Sequence, residues 1–109
     1  MEDRVFVAVD EQIAALVPRF LANRAVDVGK IRAALGLADF ESIRMVAHAM
    51  KGSGGGYGFP EISRLGAAME ARAREHDAAQ IAALVTDLEA YLARIVVATG
   101  NVQNGTGDG

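Results

Sequence analysis

The sequence predicts an all-α protein, an up-and-down four-helix bundle with an additional short or kinked helical segment at its N-terminus. Three observations predict it. Hydrophobic residues make up 51% of the 109 residues, many of them alanine, with only two prolines and few β-branched runs, a composition that favours helices over strands. Apolar positions recur at helical spacing in four stretches. Short connections between those stretches make neighbouring helices antiparallel.

Asp10 is a candidate N-cap, followed by Glu11 and Gln12 and by the apolar positions Ile13, Leu16, Val17, Phe20 and Leu21. Pro18 falls inside this pattern, where it would remove a backbone hydrogen bond and clash with the preceding turn. A kink or break near Val17 is therefore expected, with a second segment running from Pro18 toward Leu35. Val28, Ile31 and Leu35 continue the stripe, and Gly36 is expected to end it as a left-handed cap. Asp39 can cap the next helix, in which Ile43, Ala47, Met50 and Gly54 form an apolar stripe flanked by Phe40 and Val46. Pro60 suits the first turn of the third helix, whose face carries Ile62, Leu65, Met69 and Ala73. Asp77 looks like the N-cap of the last, with Ile81, Leu84, Val85, Leu88, Leu92, Ile95 and Val96 as its apolar side. His76 reads as a helix-end residue interacting with nearby carbonyls. The expected organisation is an extension over residues 1–9, a bundle over 10–98 and a disordered tail over 99–109.

Composition also removes function classes. Without cysteine there is no disulfide framework and no thiolate metal site, and a reducing cytoplasmic setting is expected. The N-terminus has no signal-peptide pattern, and no apolar stretch approaches the roughly 20 residues needed to span a bilayer. A formal net charge of −3 argues against nonspecific nucleic-acid binding. The two histidines, His48 and His76, lack partners at metal-ligand spacing. The glycine run after Lys51 is not a phosphate-binding P-loop, because its lysine precedes the glycines and follows a helix.

The run from His48 to Gly58 carries the chemistry. At about 100° per residue, His48 lies roughly 140° from the centre of its helix's apolar stripe. It shares that side with Arg44, Lys51, Gly52 and Gly55. An imidazole on a cationic, sparsely covered face is suited to nucleophilic attack and to carrying an anionic adduct. An exposed imidazole is substantially unprotonated near neutrality, so one ring nitrogen can attack phosphorus without a dedicated strong base.

His48, Lys51, Gly52 and Gly58 resemble the signature of the histidine-containing phosphotransfer (HPt) domain, and the flanking helical pattern fits that family from about Asp10 to Val97. The resemblance implies that His48 accepts a phosphoryl group from a histidine kinase or a receiver-domain aspartate and passes it to a receiver in a two-component phosphorelay. Lys51 would steady the phosphoryl oxygens and Gly52 keep the approach clear. In the family a Glu or Gln often follows the histidine by 22 residues and orients its ring; here that residue is Glu70. Receiver docking is expected on Arg44, Met45, Ala49, Gly52 and Gly55, with Val9, Ile13 and Leu16 from the first segment. The domain would bind no cofactor of its own, the Mg²⁺ for transfer belonging to the receiver, and would be a monomeric phosphoryl carrier rather than a stand-alone kinase. The competing expectation is a noncatalytic helical adaptor or regulator of a kinase or receiver. A dimeric histidine-kinase hairpin is disfavoured, because Ala49 stands where an acidic residue typically follows the histidine.

Overall fold

The computed structural model describes residues 4–99 and contains four helices: α1 (Val17–Gly36), α2 (Phe40–Gly54), α3 (Pro60–Arg74) and α4 (Ala78–Arg94). Each packs on the next, and α4 closes against α1. The predicted stripes form the core. Ile43, Ala47 and Met50 of α2 meet Ile62, Leu65 and Met69 of α3, and Phe20 and Ile31 of α1 join Ile81, Val85 and Leu88 of α4. The all-α bundle class therefore holds, with a short 3₁₀ turn at Ala14–Leu16 as the extra N-terminal segment.

Pro18 sits at the very start of α1, where its missing N–H costs no intrahelical bond, so the chain breaks at Val17 as its ring requires. Asp10 does not open an α-helix. Its carboxylate accepts the Gln12 N–H at 2.8 Å and its carbonyl accepts the Ile13 N–H, closing a turn that leads into the 3₁₀ segment.

The left-handed cap expected at Gly36 falls two residues later. Gly36 is the last helical residue, and Ala38 takes the positive φ, 54°. The closing bonds demand this. Ala38 N–H reaches the Leu35 carbonyl and Asp39 N–H reaches that of Ala34, a pair that forms when Ala38 itself is left-handed. Asp39 then caps α2 through the Ser42 N–H. The α3–α4 connection repeats the arrangement with His76 at φ 56° and Asp77 capping through Gln80. His76 bonds the Ala73 carbonyl through its backbone, while its ring stacks on Phe40 at 4.7 Å.

The largest departure from expectation lies at the two ends. Val5–Val9 forms a strand, β1, that pairs in parallel with a second strand, β2, over Ile95–Thr99, in register from Val5↔Ile95 to Val9↔Thr99. Ile95 and Val96 therefore leave the last helix, which stops at Arg94. Both segments are rich in β-branched residues, which favour extended backbone, and the bundle between them supplies the long crossover that a parallel pair requires. Val9 is buried and Val5 and Val7 are half-buried against the core, while Phe6 and Ala8 face outward. Of the expected tail over 99–109, Thr99 is the last residue of β2, and the rest lies outside the described residues.

The closest helix approach positions the site. A Cβ on Gly66 of α3 would stand 2.7 Å from the Lys51 backbone nitrogen and 2.9 Å from the Ala47 carbonyl oxygen, so only glycine lets the two backbones meet there. Gly54 of α2 makes the reciprocal approach to Ser63. The Ser63 hydroxyl accepts the Gly55 N–H and donates to the Lys51 carbonyl, both at 2.8 Å, which satisfies the end of α2.

Gly66→Ala should force α2 and α3 apart and cost about 1–3 kcal/mol in chemical denaturation, although alanine is the better helix former. Ala38→Gly should do the opposite, stabilising the fold by about 0.5–1 kcal/mol in the same measurement, because it relieves a left-handed side chain.

Candidate functional site

α2 turns its buried stripe inward and leaves His48 on the outside, with 63% of its side chain exposed. One side of the ring is nonetheless engaged. Nδ1 lies 2.9 Å from Oε2 of Glu70, which comes from the facing surface of α3. Glu70 is itself 3% exposed, a carboxylate sealed between two helices. It reaches the ring because Gly66, one turn earlier on the same face, brings α3 against the backbone of Ala47 and Lys51.

Three cationic or potentially cationic groups converge on this carboxylate. Lys51 Nζ is 3.0 Å from Oε1, and Arg74 Nη2 is 3.1 Å from Oε2, the oxygen that His48 also contacts. Hydrogen bonds from Lys51 first, and then from His48, hold the Glu70 carboxyl below its ordinary range, against the upward push of burial. Glu70 is therefore ionised at neutral pH and can only accept. In the neutral ring the proton between the two residues belongs to Nδ1, which leaves Nε2 on the exposed side with a free lone pair.

The structure thus brings together three residues singled out from the sequence, His48, Lys51 and Glu70. Arg44 stands one turn before His48 but is committed elsewhere. It makes a two-pronged ion pair with Glu41, at 3.0 Å through Nε and 2.7 Å through Nη2, which offsets the positive field expected there. Met45 and Ala49 are exposed beside the imidazole, as are Gly52 and Gly55. Around Gly52 a Cβ would meet nothing within 4 Å, so this surface is open rather than tightly packed. Leu16 is exposed and Ile13 half-buried in the 3₁₀ segment and the turn before it. Val9 has to be withdrawn from the expected docking set, because β1 buries it in the core at 2% exposure.

Sequence reasoning missed Arg74, Gly66 and Ser63. For Arg74 the signal was present, since Glu70 and Arg74 stand four apart on one helix. Gly66 acts by letting two helix backbones meet and Ser63 by bonding the α2 backbone through its hydroxyl, contacts across helices that spacing along one helix does not show. Also missed was Leu37, which with Met45, Ala33, Lys30 and Val46 lines a groove of about 450 Å³ between α1 and α2. Among the described residues, no group of three or more His, Asp or Glu side chains is arranged to hold a metal ion.

Comparison with known proteins bears on the whole bundle. A family model described as the Hpt domain matches residues 15–96. No match is found among curated proteins or among solved structures. No helix among the described residues is long and apolar enough to cross a membrane. Hpt domains work with receivers and kinases in phosphorelay signalling. With a match that runs from the 3₁₀ turn through α4 and a histidine, lysine and glycine signature on the open side of α2, the chain belongs to the Hpt domain family.

Proposed function

We propose that this protein is a phosphoryl carrier in which Nε2 of His48 accepts a phosphoryl group from a histidine kinase or a receiver aspartate and passes it to a receiver aspartate. The observation that carries this reading is the bond between the buried, ionised Glu70 and Nδ1 of an otherwise exposed ring. The Nε2 lone pair attacks phosphorus as the bond from phosphorus to the aspartyl oxygen breaks, and the aspartate leaves as a carboxylate. The phosphorylated ring is then cationic, with its remaining proton on Nδ1 facing the Glu70 carboxylate. That charge-assisted bond stabilises the loaded state. The return step reverses the same bonds.

Lys51 has two roles in this scheme. In the unloaded protein its ammonium pairs with Oε1, yet 44% of the side chain is exposed, leaving it free to turn toward phosphoryl oxygens on Nε2. Docking falls to the surface around the ring, with Met45, Ala49, Gly52 and Gly55 from α2 and Ile13 and Leu16 from the N-terminal segment. The α1–α2 groove beside Met45 and Leu37 extends it. Arg44, its charge shared with Glu41, would act on approach at short range only. The Mg²⁺ for transfer would be held by the receiver, and the domain would act as a cytoplasmic monomer without binding ATP.

Incubation with phosphorylated receiver domains, and with phosphoramidate as a partner-free donor, should give acid-labile label on the wild-type protein. His48→Gln should take none while keeping its helical circular dichroism. Label persisting in that variant, or absent from the wild type with every donor, would discard the carrier reading in favour of a noncatalytic adaptor. Lys51→Ala and Glu70→Gln should each slow labelling on the order of tenfold, the loss expected for one charge-assisted hydrogen bond.

A further inference from the structure

Glu70 Oε2 is shared, and the sharing is asymmetric. Lys51 and His48 stand one turn apart on α2, so both draw the carboxylate toward that helix. Arg74 comes from α3 itself, one turn beyond Glu70, and holds the same oxygen as the ring from its own helix. The arrangement matters because the competitors for the carboxylate are unequal. An ammonium–carboxylate contact joins two full charges, whereas a neutral imidazole N–H brings only the carboxylate's charge to the bond, so the ammonium is the stronger competitor. With Lys51 and His48 alone, the carboxylate gains by rotating to give both oxygens to Lys51. Nδ1 then loses its acceptor, and nothing fixes which ring nitrogen carries the proton. A guanidinium on Oε2 opposes that rotation, because turning toward Lys51 would break its bond. The charged groups around the ring are thus Arg44 with its partner Glu41 and Lys51 from α2, and Glu70 with Arg74 from α3.

We propose that Arg74 is a positioning residue, one that pins Glu70 Oε2 on Nδ1 and so holds His48 in the tautomer whose free nitrogen is Nε2. The inference rests on the carrier reading for its purpose, though not for its geometry. It assigns a task to a side chain that is 61% exposed and would otherwise count as an ordinary surface ion pair. It also predicts where the phosphoryl group goes, since a ring locked as Nδ1–H can be loaded only on Nε2.

The test is ¹⁵N NMR of the unphosphorylated imidazole near pH 9, where free imidazoles are neutral, in the wild type, Arg74→Gln and Arg74→Lys. The wild type should show an Nδ1–H ring. Arg74→Gln should lower the ratio of Nδ1–H to Nε2–H by about threefold, the scale of one exposed ion pair. Arg74→Lys, which keeps a cation in reach of Oε2, should recover most of it. After treatment with phosphoramidate, ³¹P NMR should place phosphate on Nε2 alone in the wild type and on both nitrogens in Arg74→Gln. A wild-type ¹⁵N pattern in Arg74→Gln would overturn the proposal and reduce Arg74 to a solvated charge. The ¹⁵N measurement needs no phosphoryl donor, so a protein that shows the tautomer shift yet takes no label would sink the carrier reading and leave the positioning role standing.

Discussion

A carboxylate sealed between two helices is the constraint around which this protein is arranged. Ionised and buried, Glu70 is tolerable only if its oxygens are occupied. They are, by Lys51 on one and by His48 and Arg74 on the other. The same arrangement that satisfies the buried charge also orders a neutral imidazole, because an acceptor that cannot donate assigns the ring proton to Nδ1. The exposed half of the ring is left free because the buried half is engaged.

That carboxylate can be where it is only because the helices meet closely. Gly66 admits the α2 backbone, Gly54 admits Ser63, and the Ser63 hydroxyl bonds both Lys51 and Gly55. Three small residues therefore set the distance between the Glu70 carboxylate and the His48 imidazole. Farther along, Tyr57 and Phe59 stack on Phe20, at 4.4 and 5.6 Å between ring centres, and anchor the turn that delivers α3 to this approach.

The features legible in the sequence were those that depend on one helix at a time. The buried stripes of α2, α3 and α4 follow from periodicity, and so does the outward face of His48. Asp39 and Asp77 cap as their side chains suggest, and Pro18 breaks the chain where its ring must. Glu70 came from family resemblance rather than from geometry. What spacing could not show was relational. Gly36 carried the usual marker of a left-handed cap, but the paired closing bonds put that conformation on Ala38, at a steric cost only the whole turn reveals. Ile95 and Val96 fit a helical period and a strand equally well, and the presence of Val5–Val9 beside them decided the matter. Val9 looked like surface for the same reason.

The parallel ladder joins segments about ninety positions apart along the chain. Every helix–helix turn can assemble from near neighbours, whereas β1 and β2 can zip only once the bundle has brought their strands side by side. Closure entropy makes such a contact slow to form and dependent on everything inside it. The ladder is then a late seal on a rapidly assembled bundle, and the first part to open when α4 loosens from α1.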